Sequence, residues 1–484
     1  MSVTKISLLI GGKDVAASGG AEFERRNPIT GDVVTVAAAA SVEDARAAVD
    51  AAAKAFPEWA SKAPSERRKI LNAAADALEA ATPEFIRLIA EETGGSAPWG
   101  GFNCFLAAGM LREAAALTTQ VAGEVIPSDK PGYLSMAIRQ PAGVVLGIAP
   151  WNAPVILGVR AIAVPLAVGN TVVLKASEIS PGVHRLIGAC LQSAGLPAGA
   201  VNVVTNAPAD AAKVVEALIA HPAVKRVNFT GSTKVGRIIG ALSGQHLKPA
   251  VLELGGKAPL VVLEDADLDA AVKGAAFGAF MHQGQICMST ERLVVDNKVA
   301  DAFVEKLAAK AKSLPAGDPR GGNVVLGSLV SVEAAEGVES LIKDAVSKGA
   351  KLVAGGSREG SIMDAAVLDH VTSDMRIYHE ESFGPVVSVI RGNGDDDLVR
   401  LANDTEYGLS SAVFATDINR ALSVARRIEA GICHINGPTV QDEAQMPFGG
   451  VKGSGYGRFG GRYGVAEFTD VKWLTIEDHP HYPF

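Results

Sequence analysis

The stretch that decides the fold is residues 144–175, which read VVLGIAPWNAPVILGVRAIAVPLAVGNTVVLK. It begins and ends with short apolar runs rich in β-branched residues, Val144–Ile148 and Thr171–Lys175, and the segment that follows Pro154 has helical character. Near-continuous apolar runs on either side of a helix indicate strands of a parallel sheet that is covered on both faces. We therefore predict an α/β fold around this unit.

The same alternation continues toward the carboxyl end of the chain. After a predicted helix, Pro181–Ser193, further strands are predicted at residues 201–205, 226–229 and 251–254. A second series suggests another α/β unit, with strands at residues 292–296, Lys351–Ala354 and 386–390. Residues 38–60 and 65–92 are alanine-rich and predict two amphipathic surface helices, and residues 134–139 and 467–477 predict strands outside both sheets. The prediction is two α/β lobes with a small appended sheet.

Composition narrows the class of protein. A chain of 484 residues with 48% hydrophobic and 20% charged residues is expected to form two or three structural units of an ordinary globular protein. The formal net charge of −8 and the absence of a basic run argue against a nucleic-acid partner. The apolar belt at residues 141–174 is interrupted by polar residues and prolines, so we expect no membrane span.

The cysteines and histidines indicate neither a disulfide framework nor a metal site. Cys104, Cys190, Cys287 and Cys433 lie far apart and form no CxxC pair, and the histidines have no paired ligand spacing. Residues 1–20 lack the pattern of a signal peptide. We therefore expect no metal and a reducing, cytoplasmic compartment.

Common nucleotide-binding motifs are absent. The segment GSTKVG at residues 231–236 resembles the start of a phosphate-binding P-loop, but Arg237 and Ile238 replace the required Lys and Ser/Thr. A GxGxxG fingerprint is also lacking. However, FTGST at residues 229–233 lies where a strand ends and a helix begins, so free backbone N–H groups there suit a pyrophosphate. When this segment is taken alone, an ordinary capped turn between strand and helix is the simpler explanation.

Three side chains are candidates for chemistry. Glu253 ends an apolar strand, where a carboxylate is costly unless it is used or paired, so it is a candidate general base. Cys287 lies in a polar, glycine-containing stretch that can expose a thiol, whereas Cys190 is surrounded by core residues. Asn152 and Trp151 offer N–H donors in the loop after a strand. Taken singly, an ion pair, simple packing and a turn account for them.

The motifs in this order resemble those of the aldehyde dehydrogenase superfamily. The resemblance covers nearly the whole chain and rests on NPITG at residues 27–31, PWN at 150–152, KASE at 175–178, FTGS at 229–232, ELGG at 253–256, GQIC at 284–287, EESFGP at 380–385 and PFGG at 447–450. Three further segments look most like the salicylaldehyde and vanillin dehydrogenase subgroup: GGSAPWGG at 94–101, CMST at 287–290 and the tail YPF at 482–484. The resemblance therefore implies a small aromatic aldehyde as substrate.

The resemblance also implies a domain organisation. A Rossmann-like NAD-binding domain is expected from residues 1–122 and 142–252, and a catalytic domain from residues 253–455. Residues 123–141 and 456–484 would form a small bridging β-sheet that joins subunits, so we expect a homodimer or a homotetramer.

Roles for individual residues follow from the same resemblance. Cys287 would attack the aldehyde carbon, and Asn152 would hold the oxyanion together with the Cys287 backbone N–H. Glu253 would activate water to hydrolyse the resulting thioester. Seven residues would bind the cofactor: Trp151, Lys175, Glu178, Gly231, Ser232, Glu381 and Phe383. A carboxylate at Glu178 would bond a ribose 2′-OH and repel a 2′-phosphate, so NAD is expected rather than NADP.

Two positions depart from the family pattern. Phe459 stands where a proton-relaying Glu is common, so a relay there must use water or another group. Residues 206–208, Asn-Ala-Pro, stand where a glycine-rich turn is frequent, which affects the expected contacts on the adenine side.

Three other functions remain open at this point. A CoA-acylating relative would typically lack the base at Glu253. A non-catalytic protein that retains the fold would not need Cys287, Glu253 and Asn152 together. A cysteine hydrolase would need a histidine base, and none accompanies Cys287 in the sequence.

Overall fold

A computed structural model of the chain describes residues 3–321 and 324–478. The tail motif at residues 482–484 lies outside the described residues, as does part of the predicted bridging segment. The described residues form two large sheets, one small three-stranded sheet that stands apart from them, and two minor sheets. This arrangement confirms the predicted fold class.

The first large sheet contains the strands predicted around residues 144–175. Its eight strands run, in spatial order, Gly455–Tyr456, Ala250–Glu253, Val224–Thr230, Val144–Ile148, Thr171–Lys175, Val201–Val204, Leu8–Ile10 and Lys13–Val15. The five strands from Ala250–Glu253 to Val201–Val204 are parallel, and the others pair antiparallel at the edges. Every residue of the two strands quoted first is buried, as a sheet covered on both faces requires.

Helices cover both faces of this sheet. They are Val42–Ser61, Pro64–Ala80, Thr82–Thr93, Ala97–Leu117, Pro154–Arg160, Ala163–Ala167, Pro181–Ser193, Ala211–Ala220 and Thr233–Gln245. The predicted single helix at 65–92 is wrong: it is two helices, because Pro83 in the first turn of the second cannot continue the first. The helix predicted at 38–60 begins only at Val42, where Ser41 and Asp44 form a capping box. Ala38 instead ends a strand.

The second large sheet confirms the second predicted unit. Its seven strands run Lys351–Ala354, Ala366–Asp369, Val386–Gly392, Thr290–Asp296, Ala258–Val262, Ser410–Phe414 and Ile432–Ile435, all parallel except the first. Its helices are Leu268–Phe280, Asn297–Lys312, Val332–Ser347, Arg376–His379, Gly394–Asn403 and Ile418–Ala425. Short 3₁₀ turns occur at Ser18–Gly20, Pro208–Asp210, Met281–Gly284 and Lys452–Ser454.

The appended sheet consists of three antiparallel strands, Glu124–Ile126, Tyr133–Pro141 and Thr469–Glu477, and the last follows helix Gly461–Glu467. It presents large apolar side chains to solvent, among them Trp473, whose exposed fraction is 76%. The minor sheets pair Thr4–Ile6, Val33–Ala38 and Glu22–Arg26, and Arg358–Glu359 with Ile362–Met363. The predicted strands at 134–139 and 467–477 are therefore confirmed as a separate sheet, although residue 467 still belongs to the preceding helix.

Within the described part of the chain, no helix is long and apolar enough to cross a membrane. The domain boundaries and the cytoplasmic location stay predictions.

Parallel topology brings the predicted site residues to one edge of the eight-stranded sheet. Lys175, Thr230 and Glu253 are the last residues of three of its strands, and Ala149 follows a fourth. Because the carboxyl ends of parallel strands meet at the same edge, the loops that follow converge there.

Candidate active site

A cavity of about 210 Å³ lies at this edge, between the two large sheets. It is lined by Pro150, Trp151, Asn152, Thr230, Gly231, Ser232, Glu253, Leu254, Gly255, Cys287, Glu381 and Phe383. Eight of the ten predicted site residues are among them. Lys175 and Glu178 do not line this cavity and lie farther along the sheet edge.

The loop that carries Cys287 follows helix Leu268–Phe280 and turns through three consecutive residues with left-handed backbone. The φ angles of His282, Gln283 and Gly284 are 49°, 55° and 70°. Such a run is costly outside glycine, so the surroundings must enforce it. The Ser289 hydroxyl donates to the Gly284 carbonyl at 3.0 Å, which closes the loop on itself.

Gly256 sets the position of Cys287. A Cβ atom added at Gly256 would lie 2.2 Å from the Cys287 carbonyl oxygen, which is far inside van der Waals contact. Thr439 holds the other side of the loop, since its hydroxyl donates to the Met288 carbonyl at 2.7 Å. The backbone around Cys287 is thus held between Gly256, in the segment that joins the two large sheets, and Thr439, in the loop after strand Ile432–Ile435.

Asn152 is fixed at both its side chain and its backbone. Its amide Nδ2 donates to the Gln285 carbonyl at 2.9 Å, and its own carbonyl accepts from the Trp99 indole N–H at 3.0 Å. An amide nitrogen carries two hydrogens, so the second one remains for a group in the cavity that Asn152 lines. Sequence reasoning missed both Trp99 and Gln285, because each contact joins a side chain to a backbone atom far along the chain.

Glu253 is a carboxylate buried without a partner. Its exposed fraction is 1%, and both of its oxygens lack a hydrogen-bond partner among the described residues. Burial raises the pKa of Glu253 to about 7, while the charge of Arg160 and the nearby Cys287 thiol act in the opposite direction. A carboxyl group with this pKa changes its protonation state near neutral pH and can both accept and return a proton.

The thiol of Cys287 is half-buried and faces the same cavity. Burial raises the pKa of Cys287 well above its usual range, and the negative charge of Glu253 raises it further. A resting thiol rather than a thiolate follows, so a nucleophile forms there only when its proton has an acceptor. Glu253 is the neighbouring group that can take it.

A turn at residues 381–383 forms the opposite wall. Glu381 accepts from the Gly256 backbone N–H at 2.9 Å, and Phe383 has a left-handed φ of 48°. Burial raises the pKa of Glu381 to about 8, and the charge of Glu291 adds to the effect. The ring of Phe383 meets that of Trp151 edge-to-face, with 5.8 Å between the centroids.

Glu291 anchors this turn and was not predicted. Its carboxylate accepts from the Ser382 backbone N–H at 2.8 Å and from the Ser382 hydroxyl at 2.6 Å, and it forms a buried ion pair with Lys257. Breaking such a pair leaves an uncompensated buried charge, so the pair holds the strained Phe383 turn in place. A charged residue within an apolar strand was the signal that could have found it.

The cavity has the features that a dinucleotide needs. Ser232 caps helix Thr233–Gln245, whose first N–H groups point toward the cavity side. A Cβ at Gly231 would lie 2.4 Å from the Phe229 ring, so a glycine lets the backbone pass this close to the ring. These residues fit a pyrophosphate beside the helix start.

Lys175 and Glu178 form an ion pair farther along the same edge. Asn206 donates its Nδ2 to the Glu178 carboxylate at 2.9 Å. At the position where a glycine-rich turn was expected, the side chain of Asn206 thus orients Glu178. The Glu178 carboxylate can accept hydrogen bonds from the hydroxyls of a sugar at this edge, and the Lys175 ammonium can donate to them.

Phe459, at the expected position of a relaying Glu, is buried beside an unpredicted ion pair. Arg160 and Asp442 pair in the interior, and the Arg160 guanidinium lies 4.0 Å from the centroid of the Phe448 ring and 6.0 Å from that of Phe459. Phe459 offers no acceptor for a proton. Within the described residues, no group of three or more His, Cys, Asp or Glu side chains is arranged to hold a metal.

Comparison with known proteins gives a consistent picture. The sequence profile of the aldehyde dehydrogenase family matches residues 15–474. A vanillin dehydrogenase from Pseudomonas fluorescens is 65% identical over 479 residues, which are 99% of each chain. The crystal structure of a salicylaldehyde dehydrogenase from Pseudomonas putida G7, complexed with salicylaldehyde, superposes with a TM-score of 0.98 at 52% identity, covering 99% of this chain and 100% of that one. A betaine aldehyde dehydrogenase from Staphylococcus aureus in complex with NAD+ gives a TM-score of 0.94 at 31% identity, covering 99% and 95%.

Glu253→Gln should lower the pKa of Cys287, because it removes a negative charge beside the thiol while keeping the shape of the side chain. The readout is the pH dependence of Cys287 alkylation by iodoacetamide, mapped by mass spectrometry, since only the thiolate reacts. Cys104 and Cys190, whose burial raises each pKa to about 11, serve as slow internal references. Glu406→Gln at the surface is the control, and an unchanged or higher Cys287 pKa in Glu253→Gln would contradict the electrostatic account.

Proposed function

The chain belongs to the aldehyde dehydrogenase family, and from this premise we propose that it oxidises small aromatic aldehydes to carboxylic acids with NAD. The observation that carries the proposal is the meeting of Cys287, Asn152 and Glu253 in one cavity that also contains Glu381 and Phe383. A nucleophile, an oxyanion donor, a base and a place for a dinucleotide are the groups that this reaction requires.

The first step is attack of sulfur on the aldehyde. Glu253 accepts the thiol proton of Cys287, and the thiolate bonds to the carbonyl carbon while the carbonyl electron pair moves to oxygen. The free N–H of Asn152 and the backbone N–H of Cys287 stabilise that oxyanion, and one such donor contributes about 3 kcal/mol to lowering the barrier. The strong fixation of Asn152 through Trp99 and Gln285 supports this role.

The cofactor is proposed to bind along the sheet edge. Ser232 and Gly231, with Trp151, are placed for the pyrophosphate, Lys175 and Glu178 for the adenine ribose, and Glu381 and Phe383 for the nicotinamide end. When it is bound, the nicotinamide dinucleotide supplies the acceptor for the hydride that leaves the carbonyl carbon. The residues of the chain orient it beside Cys287.

The second step releases the acid. After oxidation, the acyl group is a thioester on Cys287. Glu253 first releases the thiol proton to solvent and then takes a proton from a water molecule that attacks the thioester carbon. The carbon–sulfur bond breaks, the acid is released, and the Cys287 sulfur leaves as a thiolate that is protonated again. A pKa of about 7 suits a base at neutral pH. The proton then leaves through water, because Phe459 is apolar.

An aromatic substrate is proposed from the whole-chain similarity to proteins named vanillin dehydrogenase and salicylaldehyde dehydrogenase. The apolar cluster that packs against Cys287 includes the rings of Phe448 and Phe459, which is compatible with an aromatic ring. Vanillin, salicylaldehyde and benzaldehyde are all candidates, and a broad range of aldehydes is the alternative.

NAD is proposed over NADP because Glu178 would repel a 2′-phosphate. The hydrogen bond from Asn206 holds the carboxylate in position and supports the proposal, whereas the ion pair with Lys175 offsets part of the charge of Glu178.

A homodimer or homotetramer is proposed from the exposed apolar side chains of the appended sheet. Val471 and Trp473 lie on one face of the sheet and Val125 and Ile476 on the other, and each is more than half exposed. So many large apolar side chains exposed on one small sheet are typical of an interface.

The proposal is tested by assaying salicylaldehyde, vanillin, benzaldehyde and propanal, each with NAD and with NADP. We expect kcat/KM for the aromatic aldehydes to exceed that for propanal by about tenfold or more, and NAD to be preferred. Glu178→Gln should narrow the preference for NAD, because it removes the charge that repels the phosphate. Equal kcat/KM for propanal and the aromatic aldehydes would refute the substrate class, and a preference for NADP would refute the cofactor.

Glu253→Gln should release about one equivalent of NADH per chain and then stall, because the acyl group remains on Cys287. Steady-state kcat should fall about a hundredfold or more, and the mass of the intact chain should increase by that of the acyl group. Cys287→Ser should show neither the burst nor the added mass. Unimpaired turnover by Glu253→Gln would exclude Glu253 as the base, and restoration of turnover by CoA would indicate acyl transfer to CoA.

Trp473→Glu should weaken subunit association, because it places a charge on the exposed face of the appended sheet. Sedimentation velocity is expected to give two or four chains for the wild type and a shift toward one chain for the variant. Leu247→Glu is the matched control, since Leu247 is 90% exposed outside this sheet. A wild type that sediments as a single chain of 49.8 kDa would contradict the proposal.

A further inference from the structure

A second, larger cavity lies on the far side of Trp99 and His282. Its volume is about 530 Å³, and it opens between the start of helix Ala97–Leu117, helix Leu268–Phe280 and the end of helix Asn297–Lys312. None of the residues that line it lines the cavity of Cys287. The proposed reaction places neither substrate nor cofactor in it.

The walls of this second cavity are aromatic. Trp99, Phe277 and Phe280 line it, and Trp99 stacks on the His282 ring with 4.5 Å between the centroids. Phe277 is nearly half exposed to solvent although it is a large apolar side chain. Flat apolar walls of this kind suit an aromatic ring.

Two lysines stand in the lining of the cavity, Lys273 and Lys310. Among the described residues, neither ammonium group lies within 4 Å of a carboxylate oxygen. The contrast is Lys306, one turn earlier on the helix of Lys310, which pairs with Asp269 at 2.7 Å and does not line the cavity. The cavity thus offers, within the described residues, two ammonium groups without a direct ion-pair partner beside aromatic walls, although the charge of Asp269 acts on Lys273 from a longer range.

His282 adds a buried polar group that is only partly satisfied. Its exposed fraction is 4%, and in the described part of the chain neither ring nitrogen makes a well-aligned hydrogen bond, although the Asn152 carbonyl lies near enough to favour the protonated ring. Burial nevertheless lowers the pKa of His282 to about 3, so the ring is neutral and presents one N–H donor and one acceptor. A buried polar atom without a good partner is costly, and a polar ligand in the adjoining cavity would reduce that cost.

We propose that this second cavity is a binding site for a small aromatic carboxylate, whose ring packs against Trp99 and Phe277 and whose carboxylate lies between Lys273 and Lys310. This is the chemical class of the acid that the proposed reaction releases. The link to the reaction rests on the proposed function, whereas binding at the cavity does not.

The walls of the second cavity hold the groups of the first. Trp99 donates its indole N–H to the Asn152 carbonyl, and the His282 carbonyl accepts from the Gln285 N–H at 3.0 Å. Gln285 in turn accepts from the Asn152 side chain. A ligand that shifts the Trp99–His282 stack therefore shifts Asn152 from both sides. Since small displacements of an oxyanion donor slow the reaction, occupancy should lower kcat more than it raises the KM for aldehyde.

Binding is tested with benzoate on the full chain, without aldehyde or NAD, by calorimetric titration. We expect a Kd of about 1 mM, as befits a ligand of this size. The variant Lys273→Met with Lys310→Met should bind about tenfold more weakly, and Lys306→Met should bind like the wild type. Benzamide, which has the ring without the charge, and acetate, which has the charge without the ring, should both bind more weakly than benzoate. Equal binding of benzoate by the double variant and the wild type would overturn the proposed site. Equal binding of benzamide and benzoate would overturn the proposed role of the carboxylate.

Steady-state kinetics test the coupling. Benzoate competing at the Cys287 cavity is overcome by added aldehyde, whereas benzoate in the second cavity lowers kcat at saturating aldehyde. The double lysine variant should keep its kcat without benzoate and lose only the second effect. Purely competitive inhibition that is the same in both proteins would overturn the coupling. If aromatic aldehydes prove not to be substrates, the titration still decides the binding site by itself.

Discussion

The close approach of Gly256 to the carbonyl of Cys287 joins the two halves of the molecule at the point where chemistry is proposed. Residues 254–257 carry the chain from the eight-stranded sheet to the seven-stranded one, with Glu253 just before them. The same short segment donates to Glu381 and accepts from the Ser454 hydroxyl through the Gly255 carbonyl at 2.7 Å. Three loops that are distant in sequence are therefore gathered around four residues. A side chain at Gly256 would separate the thiol loop from the carboxylate that lies three residues earlier.

Burial is the second constraint, and it gives the site its electrostatic character. It is the main cause of the raised pKa values of Glu253, Glu381 and Cys287. The charged forms of these groups are disfavoured together, so each group holds its proton more tightly than it would in water. Buried ion pairs outside the cavity have a different role. Lys257 with Glu291 fixes the backbone that shapes the site, and Arg160 with Asp442 lies near enough to Glu253 to influence its pKa.

Much of this could be predicted from the sequence because the signals are local. Buried parallel strands appear as unbroken apolar runs, so Val144–Ile148 and Thr171–Lys175 were predicted residue for residue. Site residues at strand ends follow from topology, and this explains why Asn152, Ser232 and Glu253 were found. Helix ends were less certain, since the break before Pro83 depends on one residue within a continuous helical pattern. Trp99, Gln285 and Glu291 were missed because each contact joins a side chain to backbone atoms of a segment that is distant in sequence, and nothing in local composition reports such a contact.

The strand Thr469–Glu477 has a consequence for handling the protein. It lies at the edge of the appended sheet and pairs on one side only within the described residues, with Tyr133–Pro141. An edge nine residues long leaves a row of backbone donors and acceptors free, and Asp470, Lys472 and Glu477 are the charges that separate its apolar side chains. Natural sheets rarely leave such an edge uncovered, because it templates the addition of further strands. A subunit stripped of its neighbours by dilution or by truncation would thus tend to precipitate rather than persist as a working monomer.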